Sequence, residues 1–157
     1  MRILVDSSTL IALSKIGELH ILENIFGKIF ITTAIKKEVL RGDFPETDVL
    51  KAAMDEWIEV IGYEGDTGEL RKYGLGCGEA SLLLAAEHGD RLILDETNAR
   101  RYAESMGFRF TGLIGLLVAA ARSEKLTKER AIEVLNRLAK GDFRISSDLY
   151  LWAYSSI

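Results

Sequence analysis

Short apolar runs alternate along this chain with longer stretches in which apolar positions recur at helical spacing. The runs Arg2–Val5, Lys28–Ile31, Trp57–Ile61, Arg91–Leu94 and Arg109–Thr111 read as strands. Helical patterns lie between and after them: Ser8 to Phe26, with a break near Gly17, then Thr33–Leu40, Thr47–Glu56, Gly78–His88 and Thr97–Met106. Leu113–Glu124, Lys128–Lys140 and Ser147–Tyr154 follow. Strands that alternate with helices predict an α/β fold, a parallel sheet with helices on both faces. The stretch Gly62–Gly78 holds six glycines and little apolar periodicity, so it reads as a loop or weak helix within one domain; Gly42–Glu46, around Pro45, reads as a second loop. Residues 1–157 are expected to form a single domain whose C-terminal part, from about 128 to 157, is a helical tail.

Two of the strand-to-helix junctions carry an aspartate. Asp6 follows Ile3-Leu4-Val5, and Asp95 follows Leu92-Ile93-Leu94. Ligands of open parallel sheets bind outside the carboxyl ends of strands. Two carboxylates delivered there would make a metal site if their strands are neighbours, and Glu38 and Glu79, on helices, would close the ring. Each acid also has a plainer reading. An Asp between strand and helix is a favoured N-cap. Glu38, near Arg41, reads alone as a solvated helical charge. A first-turn Glu such as Glu79 is favoured by the helix dipole. The functional reading rests on the set.

Composition narrows the field. Of 157 residues 48% are hydrophobic and one is proline, enough for one compact core that buries roughly two thirds of the unfolded surface. A net charge of −4 offers no global basic field, which counts against a passive polyanion binder more than against an enzyme with an acidic metal site. Cys77, the single cysteine, cannot form an internal disulfide, and a reduced cytoplasmic setting is expected. The apolar stretch Leu113–Ala121 falls well short of the ~20 residues of a membrane span. Asp6 interrupts the N-terminal apolar run, which argues against a leader peptide. His20, His88 and Cys77 have no partner at a catalytic or metal-binding spacing.

The order of these pieces resembles the PIN domain, a family of compact metal-dependent nucleases that includes VapC-type toxins. Leu4-Val5-Asp6-Ser7-Ser8 resembles its opening strand and first acid. Ile31 to Val39 is similar to the helix that carries the second, here Glu38. Gly78-Glu79-Ala80-Ser81-Leu82 resembles the helix opening that presents the third. Leu92 to Glu96, with Ala99-Arg100-Arg101 and Gly107, resembles the fourth strand and its acid, and Thr111 to Leu117 the turn and helix after the fifth. The likeness spans nearly the whole chain. It implies a three-layer α/β/α fold with five parallel strands in the order 3-2-1-4-5. Two departures stand out: Glu79 lies where many members carry Asp, and Glu96 and Asn98 occupy a stretch where several place a further Asp.

The resemblance also implies a chemistry: hydrolysis of RNA phosphodiester bonds with Mg²⁺ or Mn²⁺, hard ions suited to carboxylates. Asp6 and Asp95 would bind metal directly and Glu79 directly or through water, while Glu38 would ligate or orient the attacking water. Ser7 and Thr9 could donate to a carboxylate or phosphate. Lys36, Lys37, Arg41, Arg100 and Arg101 could meet phosphates at the rim. Expected partners are an RNA substrate, an antitoxin protein if the chain is a toxin, and a second copy of the chain, since the Leu113–Ala121 helix and the aromatic tail (Tyr150, Trp152, Tyr154) exceed what a small core needs. The alternative is a catalytically silent PIN-like module that binds nucleic acid or protein. Phosphoryl transfer through an aspartyl phosphate fits poorly. A haloacid-dehalogenase-like enzyme wants a second Asp where Ser8 stands, and a receiver domain wants an Asp where Ile61 runs into Gly62.

Overall fold

The computed structural model describes residues 1–157. Its strands are β1 (Ile3–Val5), β2 (Ile29–Thr32), β3 (Ile58–Ile61), β4 (Arg91–Ile93) and β5 (Arg109–Thr111). All pair in parallel, in the order β3-β2-β1-β4-β5. The helices around the sheet are α1 (Ser7–Lys15), α2 (Ile21–Phe26), α3 (Thr33–Val39), α4 (Pro45–Glu56), α5 (Thr67–Arg71), α6 (Cys77–Ala85), α7 (Thr97–Ser105), α8 (Leu113–Arg122), α9 (Lys128–Lys140) and α10 (Ser147–Ser156). Ile3, Leu4, Val5, Leu92 and Ile93 are all buried, because the central strands of a parallel sheet are covered on both faces.

The topology fixes where a site can be. The chain leaves β1 toward β2 and β3, then crosses back to β4 on the other side, so the direction of winding reverses between β1 and β4. At that reversal the loops above the strand ends part and leave a crevice. Pairing of Val5 with Ile93 brings the residues after both strands together there, and pairing of Leu4 with Phe30 sets Thr32, the last residue of β2, level with Asp6.

The break expected near Gly17 is present: α1 ends at Lys15, and Gly17 has a φ of +72°, which a residue with a side chain adopts only under strain. Several boundaries differ from the sequence expectation for local reasons. Helix α4 begins at Pro45 instead of Thr47, with proline in the first turn, where its missing N–H costs nothing. Helix α6 stops at Ala85, short of His88: the Glu87 N–H is taken by Asp90 Oδ2 at 2.8 Å, and Asp90 is itself held by Arg2 at 2.8 Å. The glycine-rich stretch contains the short helix α5, capped by Asp66.

The apolar side of α8 is consumed inside the chain. Leu113, Ile114, Leu116, Leu117, Val118 and Ala120 are buried, and α9 and α10 both pack on this helix. The surplus expected to make a dimer interface is therefore reduced to α10, where Leu151, Trp152 and Tyr154 remain exposed. Glu18, buried in the turn after α1, receives the guanidinium groups of Arg130 and Arg137 and so clamps α9 to that turn. No helix is long and apolar enough to cross a membrane.

Candidate functional site

Asp6 is the N-cap of α1: its Oδ1 accepts the Thr9 N–H at 2.9 Å. Its Oδ2 accepts the Asp95 N–H at 3.0 Å and the Ser8 hydroxyl at 3.1 Å. Asp6 thus caps a helix and joins the ends of β1 and β4. It is 2% exposed. Burial first, and the charge of Asp95 second, hold its carboxyl above the usual aspartate range, against the pull of the Thr9 hydrogen bonds.

Asp95 does not cap α7, contrary to the plainer reading; Glu96 does, accepting the Ala99 N–H at 2.9 Å. Asp95 turns instead toward the other elements at the crevice. Its Oδ2 accepts the Thr9 hydroxyl at 3.0 Å, and its Oδ1 accepts the N–H of Leu113, the first residue of α8, at 3.1 Å. Arg100 donates to Asp95 Oδ1 at 3.4 Å while its Nε is anchored on the Leu94 carbonyl at 2.8 Å. Gly112 makes room for this arrangement, since a Cβ there would overlap the Arg100 guanidinium and stand 2.8 Å from Asp95 Oδ1.

Glu38 is likewise no solvated surface charge. The Ser7 hydroxyl donates to its Oε2 at 2.6 Å, and the Gly78 N–H donates to its Oε1 at 2.8 Å. A Cβ on residue 78 would lie 2.5 Å from Glu38 Oε1, so the bond requires glycine at that point. Glu79, the next residue, folds back on its own helix and accepts the Gly76 N–H at 3.4 Å, a long and weak bond. Its carboxyl is raised above the usual range, first by burial and then by the charges of Glu96, Asp6 and Glu38.

The four acids therefore gather at the carboxyl edge of β1 and β4, each holding a backbone N–H from the first turn, or just before it, of a helix: α1 for Asp6, α8 for Asp95, α6 for both glutamates. As these side chains stand, no three acidic, histidine or cysteine groups are close enough together to hold a metal ion. The donor set is nonetheless all carboxylate oxygen, the type that suits a hard divalent cation. Lys36, Lys37, Arg41 and Arg101 are exposed and bond to none of the four acids, whereas Arg100 reaches the cluster.

Two buried hydroxyls that the sequence pattern does not single out brace the site. Thr32 caps α3 and shares a 2.6 Å hydrogen bond with Ser81, which donates onward to the Gly78 carbonyl at 2.6 Å. Both side chains are fully buried. Because Ser81 gives its proton to Gly78, Thr32 supplies the proton of the shared bond. This chain of bonds fastens the end of β2 to the first turn of α6, and with it the peptide that holds Glu38. The only sequence signal is a polar residue inside an otherwise apolar helix face.

A parallel sheet of order 3-2-1-4-5 has its expected ligand site where the winding reverses, and there the acids lie. Residues 2–156 match the family profile described as a PIN domain, and the chain belongs to that family. PIN domains are generally nucleases and typically use divalent metals. No curated protein and no solved structure matches the chain.

Proposed function

We propose that this protein is a metal-dependent ribonuclease whose active site is the cluster of Asp6, Glu38, Glu79 and Asp95. The observation that supports this reading most is electrostatic. Four carboxylates from separate elements are held together without an internal cation for each, and two of them, Asp6 and Glu79, are pushed up in part by their neighbours' charge. Like charges held side by side cost stability that a bound cation would relieve.

Asp6, Asp95 and Glu79 would hold Mg²⁺ or Mn²⁺, with Glu38 beside them. When bound, such an ion lowers the pKa of its water and offsets charge on the phosphoryl oxygens. Glu79 is free to contribute because its bond to Gly76 is weak. Glu38, fixed from two sides by Ser7 and Gly78, is suited to orienting a water. Arg100, pinned by the Leu94 carbonyl, offers its remaining N–H groups to a phosphate. Thr9 holds Asp95 in register.

The test is cleavage of labelled single-stranded RNA by the purified chain in Mn²⁺, in Mg²⁺ and in EDTA. Cleavage that needs the metal and disappears in Asp95→Asn is expected; equal cleavage by that variant would sink the assignment. One observation favours a second reading, a silent binding module: every acid already has a protein partner. That reading expects no cleavage in either metal.

The proposal extends to partners. If the enzyme is a toxin, it acts in the cytoplasm, to which the free thiol of Cys77 is suited, and an antitoxin restrains it. A gene beside its own encoding a small DNA-binding protein would support that step. A homodimer would form through the outer face of α10, where Leu151 and Tyr154 are exposed. Solution scattering that gives a monomer mass at tens of micromolar protein would refute it.

A further inference from the structure

From the acids a groove of about 900 Å³ runs along α1 to the turn between α9 and α10. Glu79, Asp95 and Arg100 line its near end, while its far part is lined by Lys15, Asp142, Phe143, Arg144, Leu149 and Trp152. Helix α10 divides its side chains among three directions, as 100° steps require. Ala153 turns inward, Tyr150 and Ile157 pack on the core from the same side, Leu151 and Tyr154 face outward, and Leu149 and Trp152 enter the groove.

The chemistry of the far part differs from that of the acids. Trp152 is 48% exposed, a broad aromatic surface left open beside the groove. Arg144 is exposed and takes part in none of the chain's ion pairs. Lys15 pairs only with Asp142, at 3.5 Å and with both groups well exposed, a contact of little strength. In a chain of net charge −4 this combination does not follow from a generally basic surface. Cations beside an open indole suit a ligand with alternating flat rings and negative charges. An apolar helix laid in the groove would cover Leu149 and Trp152 but offer Arg144 no counter-charge.

We propose that this groove binds the single-stranded RNA flanking the scissile phosphate, with one base stacked on Trp152 and neighbouring phosphates met by Arg144 and Lys15. The strand's direction toward the acids rests on the nuclease reading; the binding chemistry of the groove does not use the acids.

The experiment is fluorescence anisotropy of a short fluorescein-labelled single-stranded RNA of mixed sequence, titrated with the full chain in EDTA so that cleavage plays no part. Trp152→Ala should weaken binding about tenfold, and Trp152→Tyr, which keeps a stacking ring, should restore most of it. Arg144→Gln should weaken binding and reduce the slope of log affinity against log salt by about 0.7. Lys51→Gln, an exposed cation on α4 outside the groove, should bind as wild type. The proposal is overturned if Trp152→Ala and Arg144→Gln bind like wild type. It is overturned equally if Trp152→Ala changes only the sedimentation of the protein, which would assign the face to a second copy. Binding that depends on Trp152 in a chain that never cleaves RNA with Mn²⁺ would sustain the groove and remove the nuclease. Metal-dependent cleavage with binding indifferent to Trp152 would do the reverse.

Discussion

Asp6 and Asp95 look alike in the sequence, yet their surroundings make replacement by asparagine unequal. In Asp95→Asn the new amide can keep its oxygen on the Leu113 N–H and give a proton to Thr9, whose hydroxyl turns round to accept it. In Asp6→Asn the oxygen can stay on the Thr9 N–H, but the amide nitrogen then faces the Asp95 N–H, another donor. An orphaned buried donor costs about 1–3 kcal/mol. We therefore expect Asp95→Asn to leave metal-free stability level or higher and Asp6→Asn to lower it, while both lose metal-dependent cleavage. Thermal melts in EDTA measure the first difference, and a larger loss in Asp95→Asn would contradict it. The pH dependence has a definite sign. Asp6 keeps its proton to higher pH when folded than when unfolded, so the unfolded chain releases it first. Its contribution to stability is full below the ordinary aspartate range and is lost as pH rises through the folded value. In Asp95→Asn one of the two causes of the raised value is gone, so the melting temperature in EDTA should fall less steeply with pH than in wild type. Parallel curves would count against charge coupling between the two aspartates.

Among the elements, Gly78 separates the site from the fold that carries it. Its backbone has no positive φ, and alanine is the better helix former, so Gly78→Ala should cost the helix itself little. The added methyl would stand 2.5 Å from Glu38 Oε1 and push it aside. We expect this variant to melt within a few degrees of wild type and to cleave RNA at least about tenfold more slowly, the size of one misplaced catalytic group. Wild-type cleavage would mean that Glu38 has no part in the chemistry. Why glycine is needed there was not legible in the sequence, because the reason lies forty residues upstream, on α3. The Thr32–Ser81 bond is hidden for the same reason, spanning 49 positions. The strands were legible because burial on both faces writes itself as apolar runs. Asp6 as a cap was legible because capping is local. Asp95 deceived the local rule: Glu96 had taken the cap, and Asp95 was left for α8, a partner that only the assembled sheet brings near.

For the molecule as a whole, the proposed ion binds the native chain and not the unfolded one. At a hundredfold excess over its dissociation constant it would stabilise the fold by about 2.7 kcal/mol. For a domain of this size that corresponds to about 5–10 °C in melting temperature. Calorimetry in EDTA and in millimolar Mn²⁺ reads it directly, and an unmoved midpoint together with no heat of binding would leave the silent-module reading in possession. The three-layer order 3-2-1-4-5 could not be derived from periodicity, which says nothing about which strand lies beside which. It became legible through the likeness of ordered motifs, and it is this order that makes neighbours of β1 and β4 and so of their aspartates.

Each of the four acids already rests on a backbone N–H supplied by the start of a helix. This bears on the order of events in the life of the chain. A zinc finger stays unfolded until its metal arrives, since its core is too small to hold the fold and metal binding supplies the missing free energy. Here the polypeptide supplies its own temporary counter-charge, so folding precedes loading and does not wait for it. Chains refolded in EDTA and in Mn²⁺ should reach the same secondary structure by circular dichroism. On the proposed reading the metal would then be a late and exchangeable arrival, its supply setting how much of an already finished population is switched on.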